Sequence, residues 1–380
     1  MEVYLDNSAT TKPYKEVADV VYNTMLDTYG NASSLHRMGK SAEDAMEKAR
    51  EIISSTVYCT PDELYFTCGG TESDNIAIIG YAMANKRRGN KVITQVTEHK
   101  AVLKSFEYLE KNGFEVCYIA VDQNGVVNLD ELRAQIDDNT ILVSIMTVYN
   151  ETGAIQPIGE ISAMIDHSKC AFHVDAVQAY GKMKINVKKL GIDMMSVSGH
   201  KIHGPNGIGA LYVRKGLKIN PVTVGGGQEK NLRSGTENLA AIMGFAKAAE
   251  LQFENMQKYE QHISKLKSQL EQCFSEMECA VINSPKNSIY TILNVSFVGV
   301  RSEVLLHVLE SNGIYVSSGS ACNSKKESVS YVLSAMNFSK ERTDSAIRFS
   351  FSHFNTKEEM DYVCDVVKKE VENLLRIMRR

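Results

Sequence analysis

The chain is predicted to be an α/β protein: a mainly parallel seven-stranded sheet covered by helices, with a smaller α+β domain beside it. Three observations carry this. Strand-like and helix-like stretches alternate through the first two thirds of the 380 residues, the pattern of parallel strands joined by crossover helices. After Asn238 the composition turns to Ala, Glu, Lys, Gln and Leu with few breakers. A chain this long also outgrows one ordinary core, so two domains are expected.

In chain order, the strand-like runs are Leu64 to Thr67, Lys91 to Val96, Phe114 to Ala120, Thr140 to Val148, Ala171 to Val174, Met194 to Ser198 and Gly209 to Val213. Helical patterns at Thr71 to Lys86 and Lys100 to Lys111 fall between them. Leu239 to Phe274 reads as a long helix or helix pair. A strand at Ile292 to Val298, a helix at Ser302 to Ser311, a short strand at Ile314 to Ser317 and an amphipathic helix from Thr356 to Arg379 complete the second part. The basic end, Arg376 to Arg380, reads as a solvated helix terminus, where cations complement the dipole.

Hydrophobic residues make up 43% and charged residues 23%, as in a globular protein, and the net charge is −4. That balance offers no global basic field to nucleic acid or an anionic membrane. No apolar run reaches membrane-spanning length. Met1 to Asp6 lacks the basic region and apolar core of a signal peptide, so a cytoplasmic location is expected. None of the eight cysteines forms a Cys-x-x-Cys pair, so neither a metal site nor disulfides are expected. Cys117, Cys170 and Cys364 sit among apolar neighbours and read as inert thiols.

Candidate chemistry gathers where the strands end. Lys201 closes Ser198-Gly199-His200-Lys201 after the apolar run Met194 to Val197. A buried ammonium is costly unless paired or neutral, and a neutral lysine amine is a nucleophile. Gly69-Gly70-Thr71 follows a strand and opens a helix, where free N–H groups bind phosphate. Ser198 and His200 add polar groups to such a cradle. Asp175 ends another strand and can keep a pyridine nitrogen protonated, with Gln178 three residues on. His99 can stack on a flat ring and move protons near neutrality. Asn150 can donate to a ring oxygen. Taken singly, each has an ordinary reading: a surface lysine, a helix cap, a structural histidine, a turn asparagine. Taken together, at the carboxyl ends of successive strands, they describe the site of a phosphorylated aromatic aldehyde such as pyridoxal phosphate.

The motifs Tyr4-Leu5-Asp6-Asn7-Ser8-Ala9-Thr10-Thr11, Gly70-Thr71-Glu72-Ser73-Asp74-Asn75, Thr97-Glu98-His99-Lys100, His173-Val174-Asp175-Ala176, Ser198-Gly199-His200-Lys201, Arg233-Ser234-Gly235-Thr236 and Ser317-Ser318-Gly319-Ser320-Ala321-Cys322 carry a resemblance. Through them, nearly end to end, the chain resembles the cysteine desulfurases of the NifS/IscS type, within the class V aminotransferases. The resemblance implies the type I fold of pyridoxal-phosphate-dependent transferases. It implies a large domain at residues 15–255 and a small one formed by 1–14 and 256–380. It also implies that Lys201 bonds the cofactor, Asp175 pairs with the ring nitrogen, and His99 stacks and shuttles protons. Asn150 and Gln178 then contact the ring oxygen region, and Gly70, Thr71, Ser198 and His200 the phosphate. Thr236 is implied to reach the phosphate of the other subunit of a homodimer. Arg348 matches the arginine that clamps the substrate carboxylate, a task suited to a guanidinium.

Cys322 is the distinguishing residue. Small residues precede it and the polar run Asn323 to Ser328 follows, so an exposed mobile loop is expected. An exposed thiol, with a pKa of about 8.5, is partly thiolate near neutrality. The resemblance implies that this thiolate takes sulfur from L-cysteine as a persulfide and passes it to an acceptor protein, an iron–sulfur scaffold or a tRNA-thiolating enzyme. It leaves open a transient iron–sulfur ligand role for Cys322. The loop spacing resembles the long-loop branch of the family. Gly70 stands where alanine is common, Asn323 where threonine is frequent, and the extended tail of some relatives is absent. A selenocysteine lyase and a non-catalytic sulfur carrier are the alternatives.

Overall fold

The computed structural model describes residues 1–318 and 330–378. Its strands are β1 (Val3–Tyr4), β2 (Leu64–Thr67), β3 (Lys91–Gln95), β4 (Glu115–Ile119), β5 (Thr140–Ser144), β6 (Ala171–Asp175), β7 (Met194–Ser198) and β8 (Gly209–Val213), followed by β9 (Ala280–Ile282), β10 (Ile292–Phe297), β11 (Ile314–Tyr315), β12 (Ser317–Ser318) and β13 (Ala346–Ser350). The first sheet has seven strands in the order β2-β8-β7-β6-β5-β3-β4. Only β8 runs against its neighbours, so the carboxyl ends of the other six face one way. Every residue of β3, β5, β6, β7 and β8 is buried, which explains their continuous rather than alternating apolar runs.

A second sheet, β12-β13-β10-β9, and the pair β1-β11 belong to the other core. That core gathers Val3, Leu5, Leu293, Phe297, Phe349 and Val363. The helix Leu239–Ser275 joins the two cores. Its first half buries Ile242, Phe245 and Ala249 in the large core, and its second half buries Ile263, Leu270 and Phe274 in the small one. The 255/256 division therefore falls inside one continuous helix.

Four local differences from the sequence reading have physical causes. The helical pattern at Thr71 to Lys86 contains a π-helical segment, Ile76–Gly80, between α-helical Gly70–Asn75 and Tyr81–Asn85. The strand beginning at Thr140 leaves regular pairing after Ser144, although Ile145 and Thr147 still donate to His173 and Asp175 carbonyls at 3.1 and 2.8 Å. The run Ile314 to Ser317 is split, because β11 pairs with β1 while β12 pairs with β13. Finally, Cys273 and Cys364 form a disulfide between the long helix and the helix Lys357–Met378, their Cα atoms 6.3 Å apart. Both had read as thiols; the packing of two helices distant in sequence is what pairs them. Among the described residues no helix is long and apolar enough to cross a membrane, and no cluster of metal-ligating side chains occurs.

Candidate active site

The carboxyl ends of β2, β3, β5, β6 and β7 open into a cavity of about 400 Å³, within the size range of small-molecule and cofactor sites. Gly70, Thr71, His99, Asn150, Asp175, Gln178, Ser198, His200, Lys201 and Arg348 all line it. Thr236 does not. It borders a separate depression with Tyr29, Asn31 and Asn238. Cys322 lies outside the described residues.

One end of the cavity is built for an anion. Gly69 turns the chain at φ +151°, a backbone conformation open to glycine, and the helix from Gly70 points its N-terminus inwards. A Cβ at Gly70 would lie 2.7 Å from Cγ2 of Val177. The missing methyl here is thus matched to a bulkier neighbour across the cavity. Ser198 and His200 stand beside this turn, and burial, with Lys201 and Lys182 adding to it, pushes His200 down to about 4, leaving a neutral imidazole.

Asp175 faces the cavity from the end of β6. Its Oδ1 accepts the Val177 N–H at 2.9 Å. Burial raises its carboxyl, and His99, that N–H and Lys201 work against the rise. Asp74, buried alongside, is raised well above the carboxylate range by burial and by Asp175. Of the two acids, Asp175 is the one met by positive groups, His99 and Lys201, while Asp74 meets the Ser196 hydroxyl, so charge is favoured on Asp175 over Asp74. His99 caps the helix Lys100–Lys111 with Nδ1 accepting the Ala101 N–H at 3.2 Å. That bond assigns the remaining ring proton to Nε2. Burial lowers the His99 pKa, Asp175 opposes this, and Lys201 and Lys100 reinforce it. Beneath it Glu98 accepts from Gln95 Nε2 at 2.8 Å and from the Met146 N–H at 2.6 Å. Burial, then Asp175, pushes Glu98 well up.

The N-terminal segment closes the site. Thr11 N–H donates to the His200 carbonyl at 3.0 Å, and Nζ of Lys201 donates to the Ser8 carbonyl and to that of Ala9 at 2.7 Å. Gln178 Nε2 reaches the same Ser8 carbonyl at 3.0 Å, while its Oε1 accepts from Lys182 at 3.1 Å. Arg348, on β13, donates to the Asn150 carbonyl at 2.9 Å and pairs with Asp6 at 2.7 Å. Among the described residues, its Nε is buried without a partner. Asp6, Ser8, Asp74, Glu98 and Lys182 were not singled out as candidates from the sequence. The first two lie in the quoted motif at 4–11. Asp74 and Glu98 lie in the quoted motifs at 70–75 and 97–100, and only tertiary burial marks Lys182.

An anion cradle, a flat space with a carboxylate and an imidazole, a lysine amine and a second, arginine-lined end fit a phosphorylated pyridine aldehyde carrying an amino acid. The family model "Aminotransferase class-V" matches residues 3–363. The chain belongs to the class V aminotransferase family. Within it, the chain is 44% identical over 373 residues to "Cysteine desulfurase IscS" of Methanosarcina thermophila, covering 98% of this chain and 92% of that one. It is 42% identical over 378 residues to the protein of the same name from Dictyoglomus turgidum, at 99% and 96% coverage. A solved "NifS-like protein" superposes with a TM-score of 0.93 at 39% identity, covering 98% of this chain and all of the other (100%). This member stands in the family's NifS/IscS-type cysteine desulfurase branch.

Proposed function

We propose that the protein is a pyridoxal-phosphate-dependent cysteine desulfurase that converts L-cysteine to L-alanine and holds the sulfur as a persulfide on Cys322. The observation that carries this reading is the convergence of Lys201, Asp175, His99 and Arg348 on one cavity. The family and its IscS relatives support it.

Gly70, Thr71, Ser198 and His200 are the groups to hold the phosphate, Asp175 the ring nitrogen's proton, and Asn150 and Gln178 the ring oxygen side. When bound, the cofactor supplies an aldehyde for an amine and a pyridinium ring that accepts the electron pair released at the substrate Cα. The Lys201 amine takes and returns the α-proton. The Nε2–H of His99 faces the cavity and moves a proton at the departing sulfur. Arg348 lines the cavity and keeps N–H donors beyond those given to Asn150 and Asp6, which are the groups for the substrate carboxylate. The Cys322 thiolate forms a bond to the substrate sulfur as the Cβ–S bond breaks. The carbon keeps that electron pair and gains a proton, which gives alanine.

The same reading takes residues 15–255 as the cofactor-binding domain and 1–14 with 256–380 as the small domain. It makes the enzyme a cytoplasmic homodimer in which Thr236 reaches the partner's phosphate, and its sulfur acceptor an iron–sulfur scaffold or tRNA-thiolating protein. The test compares wild type with Cys322→Ala and Lys201→Ala. Wild type is expected to be yellow and to form alanine and sulfide from cysteine with a reductant. Cys322→Ala keeps the colour and loses the cysteine reaction, and Lys201→Ala loses the native absorbance band. Desulfuration of cysteine by Cys322→Ala at the wild-type rate would refute the assignment. The same pair of proteins assayed on selenocysteine separates a lyase from a desulfurase.

A further inference from the structure

Next to the cavity just described, and sharing Ser8 and Lys201 with it, lies a small chamber of about 20 Å³ bordered by Lys201, Lys182, Ser8, Tyr290 and Thr291. The hydroxyls of Ser8, Tyr290 and Thr291 are buried and have no hydrogen-bond partner among the described residues. Buried hydroxyls left unpaired are costly. A polar space needs only about 10–15 Å³ and two to four partners to hold a water, and this chamber meets both conditions. Lys182 and Tyr290 also border an outer groove of about 600 Å³ on the opposite side. Lys182 is thus the wall between the groove and the chamber, while Lys201 is the wall between the chamber and the reaction cavity. The two amines are also linked through the protein, since Gln178 bonds Lys182 at one end and shares the Ser8 carbonyl with Lys201 at the other.

We propose that Lys182 is a positioning residue that exchanges the proton of Lys201 with the outer groove across one water in this chamber. The Lys201 ammonium gives a proton to the water oxygen. The water gives one of its own to Lys182 Nζ, and Lys182 releases a proton to the groove. No electrons move and the water is regenerated. Burial, assisted by Lys201 and Arg348, brings Lys182 down to about 7, so both of its forms are populated near neutrality. The other titratable groups around it are His200 and His203, each held near 4 mainly by burial, His353, held near 3 mainly by burial, Tyr259 and Tyr290 at the chamber, and Lys184 and Glu260 at the groove.

The proposal rests on the reading of Lys201 as the reacting amine. The loaded enzyme is incubated with L-alanine in D2O, and loss of the α-hydrogen is followed by NMR. Lys182→Met is expected to slow this exchange by about a hundredfold or more, the range of positioned acid–base groups, with alanine binding retained. Lys182→Arg is expected to be as slow, because arginine keeps the charge but does not release its proton. An unchanged rate in Lys182→Met, or full recovery in Lys182→Arg, overturns the relay. A second readout needs no cofactor: the pH dependence of Lys201 acetylation in the apoprotein, read by mass spectrometry. Its midpoint is expected to move up in Lys182→Met, and an unmoved midpoint counts against the coupling even if the functional reading fails. If Lys182→Met does not fold, Thr291→Val deletes one chamber hydroxyl and is expected to slow the exchange severalfold; no effect overturns the proposal.

Discussion

Glu229 is the residue whose removal is expected to damage the fold most for the fewest atoms changed. Its carboxylate takes Arg50 in a two-point pair at 2.8 and 2.9 Å and the Phe66 N–H at 2.8 Å, with both charged side chains buried. Arg50 also donates to the Leu64 carbonyl at 2.8 Å, so the pair ties the helix Arg37–Thr56 to β2. Glu229, Lys230 and Asn231 hold φ at +47°, +56° and +66° in succession. Non-glycine residues there carry about 1–3 kcal/mol of strain each, which only the surrounding bonds sustain. Glu229→Gln keeps the shape but sets an amide NH2 against a donor and leaves the buried guanidinium with only the half-exposed Glu47, at 3.1 Å, as counterion. Breaking such a pair costs about 3–5 kcal/mol, a large part of the 5–15 kcal/mol typical of a domain. The assay is urea denaturation followed by circular dichroism. Because Arg233, four residues on, pairs with Glu72 beside the anion cradle at 3.1 Å, cofactor affinity is expected to fall as well. A Glu229→Gln midpoint equal to that of wild type would refute the reasoning.

Three further outcomes follow from the site and its surroundings. Glu151 is pushed up to about 7 by burial, against the pull of Ser330 and Arg348. A carboxyl raised in the folded state binds its proton more tightly than the unfolded chain does. Its contribution is therefore fully present below the unfolded pKa of about 4.5, and stability falls by about 3 kcal/mol as pH rises from there to about 7; Glu151→Gln is expected to flatten that part of a denaturation-versus-pH curve. Arg348→Lys is expected to raise KM for cysteine by roughly tenfold or more, since lysine does not reproduce the guanidinium fork, in steady-state assays of alanine formation. Thiol labelling of the unfolded, unreduced protein, read by peptide mass spectrometry, is expected to leave Cys273 and Cys364 unlabelled because they are paired; labelling of both would exclude the disulfide.

Much of this architecture was legible because burial wrote it into the sequence. The five fully buried strands appear as mainly apolar runs without alternation, and the chemistry sits at their ends or just beyond, as at Asp175, the last residue of β6, and Lys201, three residues past β7. The helices Lys15–Asp27 and Arg37–Thr56 were not singled out. The first has Tyr14 at its cap, without a side-chain cap bond. The buried partners of the site were less legible. Asp74 and Glu98 sit in quoted motifs, yet as acids they look like surface residues, as Lys182 does outside any motif, and what the fold packs around them is what buries all three. The Ser8 and Ala9 carbonyls reach Lys201 through contacts spanning more than 190 residues, beyond any local pattern. Gln178 was read as a ring contact. It does line the cavity, yet its amide also joins Ser8 to Lys182.

The N-terminal segment has a consequence for the order of events during synthesis. Val3 and Tyr4 pair with Ile314 and Tyr315, Asp6 bridges to Ser350, and the Ser8 N–H donates to the Ser350 hydroxyl at 2.8 Å. A ribosome adding about 5–20 residues per second makes the first residues some tens of seconds before these partners emerge. The seven-stranded sheet can close in that interval, but the carbonyls that receive the Lys201 amine reach their final place only after residue 350 has left the tunnel. A nascent chain stalled short of that point therefore carries the lysine without the seat that holds it.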